Sequence, residues 1–196
     1  MARTDRTPRR STLPPTRPST RHRRAEVLRA VIVAADRRRD ALLPTDVPGV
    51  SETFADDLDL VAALQLRWYT RLASRIEAAQ ASSPEDLAAA TRRAWVGVAD
   101  EMPGVRAVLD LARTRGDDPR LARAMGRARA KERLLLAASA GWCGPHDLAR
   151  GAVLGARLEE EAREQWAGPG AAPRSPSGDE RGAVALLGRL RALLPA

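Results

Sequence analysis

Two groups of side chains carry residue types that could do chemistry. Cys143 and His146 stand three apart in GWCGPHDL. A thiolate near a helix start with an imidazole close by is how a nucleophile and its base are arranged. Glu159, Glu160, Glu161 and Glu164 are the second group, carboxylates of the kind that hold paired metals inside helical bundles. Each group lacks its complement. The only other histidine is His22 and there is no second cysteine, so four nitrogen or sulfur ligands for zinc cannot be assembled from one chain. Bundle metal sites draw Glu-x-x-His pairs from facing helices, and the chain contains none. A glycine-rich phosphate loop is absent at either standard spacing. The pair therefore reads as helix-boundary residues and the glutamates as a solvated acidic face. The chain is expected to be non-catalytic, with no metal and no cofactor.

The element best suited to organise a fold is Phe54–Gln80, FADDLDLVAALQLRWYTRLASRIEAAQ. Val61, Leu64, Trp68, Leu72 and Ile76 recur at three- and four-residue steps, the period of one helical face. Leu60, Leu66 and Tyr69 widen the apolar surface, which predicts a central helix covered on more than one side. Arg67, Arg71 and Arg75 form a second row beside the buried one. Ser51 and Asp56 are the candidate N-caps.

Other helices follow from the same periodicity and from punctuation. Val27, Leu28, Val31, Ile32 and Ala35 mark a first helix from Arg24 to about Leu43–Pro44, before the loop at Pro48-Gly49. Ser83-Pro84-Glu85-Asp86 opens a helix through Leu87, Thr91, Ala94, Trp95, Val98 and Met102. Pro103-Gly104 interrupts it, and a short helix carries Val105, Val108, Leu109 and Ala112. Asp118-Pro119 opens the next, with Leu121, Met125, Ala128 and Leu135 inward. Gly144-Pro145 starts the last, through Leu148, Leu154, Leu158 and Trp166. In it, Gly151-x-x-x-Gly155 allows a close backbone approach that reads as internal packing. The expected fold class is all-α, a single compact bundle of about six helices over residues 24–166. Residues 167–182, rich in Gly, Pro and Ser, read as a flexible linker, and 183–196 as a short amphipathic helix.

Charge is unevenly placed. The net charge of the 196 residues is +8, but Arg3, Arg6, Arg9, Arg10, Arg17, Arg21, Arg23 and Arg24 against Asp5 place +7 of it in residues 1–24. The remainder is nearly neutral. Residues 1–23 read as a disordered Arg/Pro-rich tail, and Arg9, Arg10, Arg21, Arg23 and Arg24 as candidates for weak, sequence-blind contact with phosphates. One cysteine suits a reducing, cytoplasmic setting. No run approaches the roughly 18 apolar residues needed to span a bilayer.

The helix starting at Arg24, the stretch Phe54-Ala55-Asp56-Asp57-Leu58 leading into a long helix, SPEDLAAATRRAWVGVADEMPGVRAVLDLAR and HDLARGAVLGARLEEEA resemble, in order, helices of the tetracycline-repressor (TetR) family. That resemblance covers about 24–166. It implies an all-α body that binds an effector, a homodimer, and a small-molecule cavity beneath Trp68 and Trp95 with Leu64 and Met102 in its wall. One departure matters. The family's DNA-reading helix pair would have to fit within Pro44–Thr53, where only Pro48-Gly49-Val50-Ser51 echoes its turn. A major-groove recognition helix needs several turns. The first expectation is a non-catalytic binding or interaction protein without a competent DNA reader. The alternative is a divergent TetR-type regulator binding DNA as a dimer, and third comes a small thiol- or carboxylate-dependent enzyme.

Overall fold

The computed structural model describes residues 20–115 and 117–169. Among them are seven helices and no strand: α1 (Thr20–Arg38), α2 (Val50–Thr53), α3 (Asp57–Ser82), α4 (Leu87–Glu101), α5 (Pro103–Thr114), α6 (Pro119–Ser139) and α7 (Leu148–Gln165). The all-α bundle is thus as expected. The linker and C-terminal helix read over 170–196, and the tail before residue 20, lie outside the described residues.

Helix boundaries are set by carboxylates more than by the punctuation that caught the eye. Asp56, Asp86, Asp118 and Asp147 each accept a first-turn amide of α3, α4, α6 and α7, satisfying donors that no helix can bond internally. Ser83-Pro84 and Gly144-Pro145 therefore precede their helices without capping them. Helix α1 begins at Thr20, earlier than Arg24, and stops at Arg38, short of Leu43. Arg39 and Ala41 take positive φ (54° and 64°), a left-handed conformation that a helix cannot continue through.

Helix α5 is capped from a distance. Its N-cap Met102 supplies no side-chain bond; the amides of Gly104 and Val105 instead donate to Asp36 Oδ1 on α1, at 2.9 and 3.2 Å. The approach is close enough that a β-carbon on Gly104 would lie 1.9 Å from the Ala35 carbonyl oxygen. A second close approach joins α6 and α7. A β-carbon on Gly155 would meet the Arg133 carbonyl oxygen at 2.0 Å, and one on Gly151 the Leu134 side chain at 2.6 Å. The glycine pair is indeed an internal seam.

The core runs through all the longer helices, with α3 at its centre. Leu64, Trp68, Leu72, Trp95, Val98, Leu109, Leu136 and Leu158 are fully buried. Trp68 and Trp95 meet edge to face at 5.7 Å, and Trp166 packs edge-on against Trp95 at 6.0 Å, the geometry that aromatic quadrupoles favour. One expectation for α3 fails. Leu60 is buried, but Leu66 is 65% exposed and Tyr69 only half-buried. Among the described residues no other helix lies over that flank, so the wider apolar surface of α3 remains partly open there.

Candidate functional site

The two buried tryptophans rest on a charged cluster. Glu132 of α6, 1% exposed, accepts the indole N–H of Trp68 at 3.1 Å and that of Trp95 at 3.4 Å. Arg113 Nη2 donates to it at 2.7 Å and Arg106 Nη1 at 3.4 Å. Arg106 is wholly buried, stacks over Trp68 at 4.6 Å and donates to Asp110 at 2.8 Å. Arg163 of α7 bridges Asp110 and Glu159 and lies over Trp95 at 5.2 Å. Arg106, Arg113 and Arg163 thus face Asp110, Glu132 and Glu159, and Arg133 and Arg129 reach Glu159 from the outer side. Such pairing is what permits charge in a low-dielectric interior.

Proton affinities follow the pairing. Burial would raise the Asp110 carboxyl, but the Arg163 hydrogen bond and the charges of Arg106, Arg163 and Arg113 outweigh it and hold it below its ordinary value. Burial opposes ionisation of Glu159 too, and the charges of Arg163, Arg113 and Arg129 overcome it. The Arg106 guanidinium is pulled down by burial. For Arg163 the bond to Asp110 and the charges of Asp110 and Glu159 prevail over burial and raise it. The arginines and carboxylates are consumed by one another, and the cluster's chemistry is cohesion between α3, α4, α5, α6 and α7.

The residues singled out by sequence fall in several places. Trp68, Trp95, Leu64 and Met102 come together in the core, each at most 6% exposed. The buried indoles are engaged by Glu132, and none of the four lines the groove beside α3 described below. Glu159 is not on a solvated face: it is 2% exposed, enclosed by Arg113, Arg133 and Arg163. A charge at a core-facing position of α7 could be buried only because arginines reach it from two other helices. Glu160 and Glu164 are exposed, and Glu161 pairs with Arg92 and Arg157. Among the described residues no three His, Cys, Asp or Glu are grouped to hold a metal ion. Cys143 is half-buried and His146 exposed in the α6–α7 connection. Arg21 and Arg23 are exposed on α1. Arg24 is fixed instead, bonded to Asp59 and the Thr53 carbonyl and stacked on Phe54 at 4.3 Å. Arg9 and Arg10 lie outside the described residues. No described helix is long and apolar enough to cross a membrane.

Sequence reasoning missed Gln65, Arg106, Asp110, Arg113 and Glu132. One signal was available: Glu132 falls in register with Leu121, Met125 and Leu136 on the inward stripe of α6.

The open flank of α3 forms one wall of a groove of about 590 Å³. Leu58, Ala62, Gln65, Leu66 and Tyr69 line it from α3, and Ala124, Met125, Arg127, Ala128 and Lys131 from α6. Its base is apolar, and both charged lining residues are cationic. Gln65 links groove and cluster. Its Nε2 faces Glu132 Oε2 at 3.5 Å, the only sensible orientation toward an acceptor-only carboxylate. That leaves Gln65 Oε1 buried without a partner, as are the Nε atoms of Arg92, Arg106 and Arg113. A second hollow, about 660 Å³, lies against the outer face of α1 beside Val33, Ala34 and Arg37. Among the described residues that one has a single helix for a wall. No protein-family model, no curated protein and no solved structure matches this chain.

Proposed function

We propose that the protein is a non-catalytic helical interaction module, comparable to the effector-binding body of a TetR-type regulator without its DNA reader, and that the α3–α6 groove is its binding surface. The groove carries the reading: it joins an apolar base to a few polar groups, the composition of a recognition site. Two further features support it. The cluster's carboxylates and arginines are paired with one another, and none of them lines the groove. Between α1 and α3 the described chain has a single one-turn helix, Val50–Thr53, and one turn cannot present several side chains to base edges.

The test uses an anionic apolar dye, 8-anilino-1-naphthalenesulfonate, with the native protein and with Ala128→Trp, which fills the groove from its α6 wall. The expected result is saturable binding to the folded wild type, lost in the variant while the circular dichroism spectrum is unchanged. Absence of binding, or equal binding to both proteins, refutes the assignment of the groove. Footprinting on defined DNA at physiological salt addresses the missing reader: protection of one sequence would overturn that part, because phosphate contacts alone carry no base information.

A further inference from the structure

We infer that the occupant of the α3–α6 groove is an acidic amphipathic helix of another protein. This rests on the groove being the binding surface and deepens that reading.

Shape is the first argument. Leu58 to Tyr69 spans three turns of α3, about 16 Å, and the groove is open to solvent on its outer side, with Leu66 65% exposed at the rim. A small ligand is held tightly when most of its surface is enclosed; this open trough covers one side only, enough for a dye to bind weakly. A helix needs only one face covered, and it meets two parallel ridges through apolar anchors at i, i+3, i+4 and i+7.

Charge is the second argument. Arg127 and Lys131 line the groove, Arg123 continues the exposed ridge of α6, and no acidic residue lines the groove among the described residues. That pattern selects among occupants. A second copy seated symmetrically would bring Arg127 and Lys131 against themselves. The chain's own apolar segment 183–196 carries Arg189 and Arg191 and no acid, so it meets like charge as well. A partner helix flanked by glutamates or aspartates meets complementary charge, which steers encounter and excludes wrong partners.

The experiment measures binding of a fluorescent peptide of about 18 residues, roughly 27 Å as a helix. Leucines line one face, and glutamates flank the row. A companion peptide carries lysines for the glutamates. The glutamate peptide should bind wild type at least about tenfold more tightly than the lysine peptide at low salt. It should weaken as salt rises and fail to bind Ala128→Trp. Arg127→Glu/Lys131→Glu, changed only at exposed positions, should reverse the preference between the peptides. Equal binding of the two peptides, or no binding of either while the dye still binds, overturns the acidic-helix inference and leaves the groove assignment standing. Loss of both dye and peptide binding overturns the two together.

Discussion

Glu132→Gln tests the claim that the charged cluster holds the bundle together. The substitution keeps the shape of the side chain and one acceptor oxygen, so the Trp68 indole at 3.1 Å can still be satisfied. It removes one of the cluster's three negative charges and points an amide N–H₂ toward the Arg113 guanidinium and the Gln65 amide N–H₂, donors at the second oxygen's position. Arg106, wholly buried, retains only Asp110, and Arg113 only Asp110 and Glu159. Breaking a buried ion pair from one side typically costs about 3–5 kcal/mol. Against a total of roughly 5–15 kcal/mol, that is about a fifth of the stability or more. For a domain of this size it lowers the melting temperature by about 6–20 °C. Urea unfolding followed by tryptophan fluorescence measures it, since Trp68 and Trp95 report from the cluster itself. Adding Arg106→Met to Glu132→Gln removes the uncompensated cation. The double variant should recover about 1–3 kcal/mol relative to the sum of the singles. A Glu132→Gln protein within about 1 kcal/mol of wild type, or singles that simply add, would refute the reasoning.

Gly155→Ala places a β-carbon 2.0 Å from a backbone oxygen of α6, and forcing the helices apart should cost about 1–3 kcal/mol or more in chemical denaturation. Gly126→Ala, with nothing within 4 Å of the new carbon, should instead stabilise by about 0.4–1 kcal/mol. Burial raises the Asp36 carboxyl above its ordinary 3.8, against the opposing bonds from Val105 and Gly104, so its ionised form weakens the fold as pH rises through that value. Asp36→Asn should therefore be at least as stable as wild type at pH 7, whereas Asp36→Ala loses the cap of α5 and about 0.5–2 kcal/mol. Asp110 and Glu159 are lowered below 3.8 and 4.5. Their contribution is full above those ordinary values and is lost as pH falls through the lower folded ones. Thermal melts from pH 5 to pH 2 should show that loss, with a flatter profile in Asp110→Asn.

What the sequence disclosed was local or periodic. Leu64, Trp68 and Leu72 announced their burial through spacing, and Asp118-Pro119 announced the start of α6, because both signals lie within a turn or two. Met102-Pro103-Gly104 showed the break between α4 and α5 for the same reason. Glu132 stayed hidden because periodicity assigns charge to solvent, and the groups that make its burial tolerable are on other helices. Arg106 is 26 residues away and the Trp68 indole 64. Glu159 was misread on the same ground, as its enclosing arginines come partly from α5 and α6. The groove escaped because the apolar flank of α3 was legible but its lack of a covering helix was not. Leu66 and Tyr69 look alike in sequence whether a neighbour packs on them or leaves them open.

The cap on α5 has a consequence for the order in which the chain folds. Asp36 and Gly104 are 68 residues apart, and closing so long a loop is slow relative to forming a turn. Until α1 docks, the first amides of α5 have no side chain to meet. Helix α5 then begins with its orphan donors facing water and its dipole uncompensated. Its N-terminal turn becomes stable only when the two ends of this long segment have found each other, after local helices such as α3 and α4 have formed. Amide exchange at Gly104 and Val105 therefore reports on a remote event, the seating of α1, and not on the helix to which those amides belong.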